Sequence, residues 1–126
     1  MADMSVQRSV IDGCLVLTID GKEIRGDQQA ENLRTEFLNA VEQTGCYKVV
    51  VDFKNVEMMT TVGFRPLLSL RKKLHDHAGH LVLCNLNPLL HEVFRVTRLI
   101  STSGTTTAPF ESKPDLASAL ESLKKS

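Results

Sequence analysis

The chain has 126 residues, a length that fits one domain (1–126) able to bury a core without disulfides or metal. Its 42% hydrophobic and 24% charged content is that of a soluble globular protein rather than a disordered or fibrous one. Basic and acidic residues balance at 15 each, which removes the electrostatic reason to expect nucleic acid or an anionic membrane as partner.

The opening residues, 1–8, contain no apolar h-region, so a signal peptide is not expected. Residues 6–19 read as two strands around Asp12-Gly13, a strong hairpin signal. The second of them, Cys14-Leu15-Val16-Leu17-Thr18-Ile19, is rich in branched side chains, and Asp20-Gly21 punctuates it. Short extended structure is expected at 22–25. A helix is expected over 27–43, with Ala30, Leu33, Phe37, Ala40 and Val41 on its apolar stripe, Asp27 as its cap and Gly45 as its end. Tyr47-Lys48-Val49-Val50-Val51-Asp52-Phe53 is a near-continuous apolar run, the pattern of a strand covered on both faces in a parallel sheet.

A second helix is expected from about 62 to 77, with Phe64, Leu67, Leu68 and Leu74 facing inward and Gly79 stopping it. Pro66 costs little in a first turn, and predicts a late or tightened helix start. His80-Leu81-Val82-Leu83-Cys84 reads as a short buried strand. Asn87-Pro88 then opens a helix, Asn87 capping it and Leu89, Leu90, Val93 and Phe94 giving its apolar face. Residues 101–107 (Ser-Thr-Ser-Gly-Thr-Thr-Thr) read as an exposed loop, 108–111 as a last short strand and 112–124 as a closing helix with Leu116, Ala119, Leu120 and Leu123 aligned. Strands alternating with helices predict a mainly parallel or mixed sheet with the helices packed against it.

The chemistry is concentrated at the joint Met58-Met59-Thr60-Thr61-Val62-Gly63, where a strand leads into a helix. Helix starts expose unpaired N–H groups and the positive end of the peptide dipoles. A hydroxyl there can cap the helix, and can also carry a phosphate. Of Met58 and Met59, one is expected to point inward and the other outward as an adaptable docking surface. His75, His77, His80 and Cys84 resemble a metal cluster in spacing only. His75 and His77 diverge on a helix and Cys84 belongs to a buried strand, so no metal ligands are assigned. Glu57 and Asp52 lack a second carboxylate or nucleophile at useful spacing, so no catalytic residue and no cofactor is assigned. Cys14, Cys46 and Cys84 are scattered and odd in number, which favours reduced thiols and a cytoplasmic location.

Most of the chain resembles the STAS domain, the fold of bacterial anti-sigma factor antagonists. The resemblance rests on Val50-Val51-Asp52-Phe53 with Val56, which is similar to the family's "D-L-S-x-V" run, and on the joint ending at Gly63. It rests also on Gly79-His80-Leu81-Val82-Leu83-Cys84 and on Asn87-Pro88 through Phe94 to Thr97 and Leu99. It implies a mixed, mainly parallel sheet with an N-terminal hairpin and about four helices. It implies also a non-enzymatic, protein-binding regulator whose partner is an anti-sigma factor or switch kinase.

The family's phosphorylatable joint reads Asp-Ser-Ser-Gly. Matching on Gly63 puts the acceptor at Thr61, the aspartate at Thr60 and the second serine at Val62. Thr61, with Thr60, is thus the candidate phosphoacceptor, and Met58, Met59, Val62, Gly63 and Arg65 are the candidate partner-binding residues. The alternatives are an unphosphorylated scaffold that forms homo-oligomers, in which the threonines are caps only, and a small-ligand sensor for a nucleotide or lipid.

Overall fold

A computed structural model of the chain describes residues 5–96 and 110–124. Strands β1 (Ser5–Ile11) and β2 (Cys14–Asp20) form the expected hairpin, in register from Ser5 opposite Asp20 to Ile11 opposite Cys14. Asp12 and Gly13 between them both adopt positive φ, 54° and 80°, as a two-residue turn matched to strand twist requires. Then follow β3 (Glu23–Ile24), helix α1 (Asp27–Thr44), β4 (Lys48–Asp52) and β5 (Met58–Met59). A 3₁₀ turn (Thr61–Gly63) leads into α2 (Phe64–Asp76), and β6 (His80–Cys84), α3 (Pro88–Val96), β7 (Glu111–Lys113) and α4 (Leu116–Lys124) complete the order.

The main sheet runs β1-β2-β4-β6-β7, antiparallel only at the hairpin and parallel elsewhere. Because successive side chains in a strand point to opposite faces, the apolar runs divide cleanly. Leu15, Leu17, Ile19, Val49, Val51 and Leu83 join the larger cluster that also holds Leu33 and Phe37 of α1, Leu67 and Leu70 of α2 and Phe94 of α3. Cys14, Val16, Val50, Val82 and Cys84 face the other way, onto Ala119 and Leu123 of α4. The four helices thus sandwich a mainly parallel sheet, as the patterning and the resemblance implied.

Several local expectations are corrected. Asp27 does not cap α1; Gly26 occupies the cap position with no side-chain bond, and the Asp27 carboxylate is engaged elsewhere. Leu68 faces outward, 41% exposed, and Leu70 takes an inward place instead. Leu89 also points outward, 54% exposed. The left-handed residue after α2 is Ala78 (φ 56°), not Gly79. Gly79 is needed for a different reason: a Cβ there would run into the Tyr47 carbonyl and come within 2.9 Å of the Tyr47 Cβ. The last strand covers Glu111–Lys113, while residues 108 and 109 of the expected one lie outside the described residues, and the closing helix starts later than expected. The Asp115 Oδ1 accepts the Ser118 N–H at 2.8 Å as that helix's cap. Thr97, Leu99 and the loop expected at 101–107 lie outside the described residues.

Phe94 organises the larger cluster. Its ring meets Phe53, Phe64 and Phe110 edge to face, with centroids 6.1, 5.0 and 6.1 Å away. Phe94→Ala is therefore expected to destabilise the protein by about 3–5 kcal/mol, read as a fall in the urea midpoint at unchanged m-value.

Candidate functional site

The site is the joint after β4, and it is built largely from backbone. The Asp52 side chain, 2% exposed, ends the strand. Its Oδ1 accepts the Lys54 N–H at 2.9 Å and the Asn85 side-chain amide at 2.9 Å. A buried carboxylate needs such donors, and here they tie the loops after β4 and β6 together. The Phe53 N–H donates to the Cys84 carbonyl at 3.0 Å. Asn87 acts twice: its Oδ1 accepts the Leu90 N–H at 2.8 Å, capping α3 as expected, and its Nδ2 donates to the Glu57 carbonyl at 3.1 Å.

Beyond Glu57 the chain pairs with the segment before α1. The Glu57 and Met58 N–H groups donate to the Lys22 carbonyl at 2.7 and 3.1 Å, and the Thr60 N–H donates to the Ile24 carbonyl at 2.9 Å. β3 and β5 form a parallel two-stranded ladder, Glu23 opposite Met58 and Ile24 opposite Met59. Sequence reasoning did not find β5; two methionines carry little strand signal, and the pairing lies 35 residues apart in register.

The ladder turns Met59 into the core, 3% exposed, and leaves Met58 half-buried, the division expected of the pair. Gly63 is buried as well. A Cβ there would lie 2.5 Å from the Met59 Cγ and 3.3 Å from the Ile24 Cγ2. Met59 and Gly63 therefore shape the joint from beneath, and neither offers a side chain to a partner. Val62 is half-buried, and Thr60, Thr61 and Arg65 are exposed.

Neither threonine caps a helix through its hydroxyl, contrary to the capping expectation. Thr60 is the cap residue of the 3₁₀ turn without a side-chain bond, and α2 starts from Gly63. Backbone groups close the turn instead: the Gly63 N–H donates to the Thr60 carbonyl at 3.0 Å, and the Phe64 N–H to that of Thr61. The 3₁₀ turn is the tightened start that Pro66 predicted, placing the proline in the first turn of α2. Arg65 reaches across to α1, its Nη2 lying 2.6 Å from the Asp27 Oδ1.

The remaining candidates are dispersed. Among the described residues no three His, Cys, Asp or Glu side chains converge on a metal site. His77 stacks on Tyr47, with ring centroids 4.4 Å apart, and His75 and His80 are exposed. Burial, followed by the neighbouring charges of Asp52 and Asp115, pushes the Cys84 thiol from 9.0 up to about 12.

Two outcomes follow. Gly63→Ala is expected to cost about 1–3 kcal/mol through overpacking, with part of the loss recovered in the Gly63→Ala/Met59→Ala double variant when each is measured by denaturant unfolding. A thiol whose folded pKa is raised holds its proton longer when folded than when unfolded. Stability attributable to Cys84 is then complete below pH 9.0 and is lost as pH climbs toward about 12. Alkaline unfolding curves of the native chain should steepen over that window, and those of Cys84→Ala should steepen less.

Comparison with known proteins bears on this geometry. Residues 5–113 match the STAS domain. A candidate anti-sigma factor antagonist of Bordetella bronchiseptica, BtrV, is 32% identical over 98 residues, 78% of this chain and 82% of that protein. The fold superposes on an anti-sigma-factor antagonist (STAS) domain protein from Planctomyces limnophilus with a TM-score of 0.78, at 22% identity and covering 98% and 99% of the two chains. It also superposes on the Bacillus cell fate determinant SpoIIAA in its phosphorylated form, with a TM-score of 0.58, at 22% identity and covering 74% and 83%. With the hairpin, the parallel strands and the strand-to-helix joint all in place, the chain belongs to the STAS domain family and has the fold of its anti-sigma factor antagonists.

Proposed function

We propose that this chain is a regulatory binding protein whose joint docks an anti-sigma factor or switch kinase, and that phosphate on Thr61 ends the docking. The observation that carries this reading is the state of Thr61: exposed, at the start of a helix, and not used as a cap. A hydroxyl with a structural duty would be costly to modify; this one is open to a partner's active site. Beside it in the joint, Met58 and Val62 are half-buried, so docking can remove apolar surface from water. The scaffold reading assigned both threonines to capping, a role that neither hydroxyl takes.

In the proposed reaction the Thr61 Oγ attacks the γ-phosphorus of ATP held by the partner kinase. The Oγ–P bond forms and the bond from that phosphorus to the bridging oxygen breaks. ADP leaves, and the hydroxyl proton passes to a base on the kinase. The product carries about −1.5 to −2 additional charge on a surface that docking must dehydrate, so association is opposed without refolding. No catalytic group is required of this chain.

Incubation with the cognate kinase and ATP is expected to add one phosphate by intact mass, retained in Thr60→Ala and absent in Thr61→Ala. Thr61→Glu should weaken partner binding about tenfold or more, a loss of at least about 1.4 kcal/mol. Absence of phosphate together with unchanged binding by Thr61→Glu rejects the proposal.

A further inference from the structure

Arg65 stands four residues after Thr61. Thr61 opens the 3₁₀ turn and Arg65 lies in the first turn of α2 that continues it, so the two are roughly 6–8 Å apart along the helix path at about 1.5–2.0 Å of rise per residue, a span that a long arginine side chain can cross. The Arg65 guanidinium also extends toward the amino ends of the helices, because its partner is Asp27 in the first turn of α1. Both side chains of that pair are well exposed, at 64% and 80%, which makes the ion pair weak and easily exchanged. Asp27 keeps a favourable position without it, since a carboxylate in a first turn faces the positive end of the helix dipole.

We infer that Arg65 is the receptor for a phosphate on Thr61, releasing Asp27 to take it; the inference rests on the proposed modification of Thr61. The guanidinium fork matches a phosphate as well as a carboxylate, and the phosphate carries more charge and a third oxygen. The exchange has two effects on the docking face. It adds an anion, and it withdraws the positive charge that Arg65 offers a partner. It also unfastens the side-chain tie between the start of α1 and the start of α2.

The test needs neither kinase nor partner. Phosphothreonine is inserted at position 61 of the full chain by codon suppression, and the second ionisation of the phosphate is followed by ³¹P NMR. Its midpoint is expected to rise by about half a pKa unit in Arg65→Gln, as removal of one exposed charge-assisted bond implies. Lys72→Gln, which removes an equal charge further along α2, should move it much less. Equal midpoints in Arg65→Gln and Lys72→Gln overturn the assignment. Because the titration is independent of docking, that result would leave the binding reading to stand or fall on Thr61→Glu alone.

Discussion

Three backbone hydrogen bonds, from Glu57 and Met58 to the Lys22 carbonyl and from Thr60 to that of Ile24, hold the joint in place. They fix which methionine enters the core, and so which residues remain outside. With Met59 seated beneath Gly63, the chain above has little freedom. The turn must tighten, and the threonine hydroxyls are left outside its hydrogen bonding. Backbone pairing thus supplies what side-chain capping usually supplies at a helix start. The hydroxyls are thereby left without a structural duty.

The fold was legible where one periodicity dominated. The branched runs of β2, β4 and β6 are buried on both faces, and their patterns show it. The Asp12-Gly13 turn and the Asn87 cap were equally plain, because their residue types answer specific backbone demands. Boundaries and faces failed where tertiary contacts outweighed local preference. Leu68 reads as core by hydropathy, yet it lies on the solvent side of α2 while Leu70 takes the inward position. Asp27 reads as a cap, yet a cation across the helix pair holds its carboxylate. At the site, the identity of the joint was visible in Thr60-Thr61-Val62-Gly63, but its construction was not. β5 is two residues long, and its partner precedes α1. No local pattern announces a pairing of that kind.

The buried core and the exposed contacts at the joint form separate layers. The aromatic group around Phe94 and the two-faced sheet provide cooperative burial. The surface above them is held by solvent-exposed contacts such as Arg65 with Asp27, worth only about 0–1 kcal/mol. A change of charge at the surface can therefore rearrange those contacts without threatening the core.

Asn87 carries a consequence of another kind. One side chain starts α3 and, through the same amide, grips the strand-loop that delivers the methionines. Helix and loop are thus bolted to a common strut, and a push on either is felt by the other. A molecule resting on the outward Leu89 of α3 would lean, through this strut, on the very chain that sets the threonines' bearing.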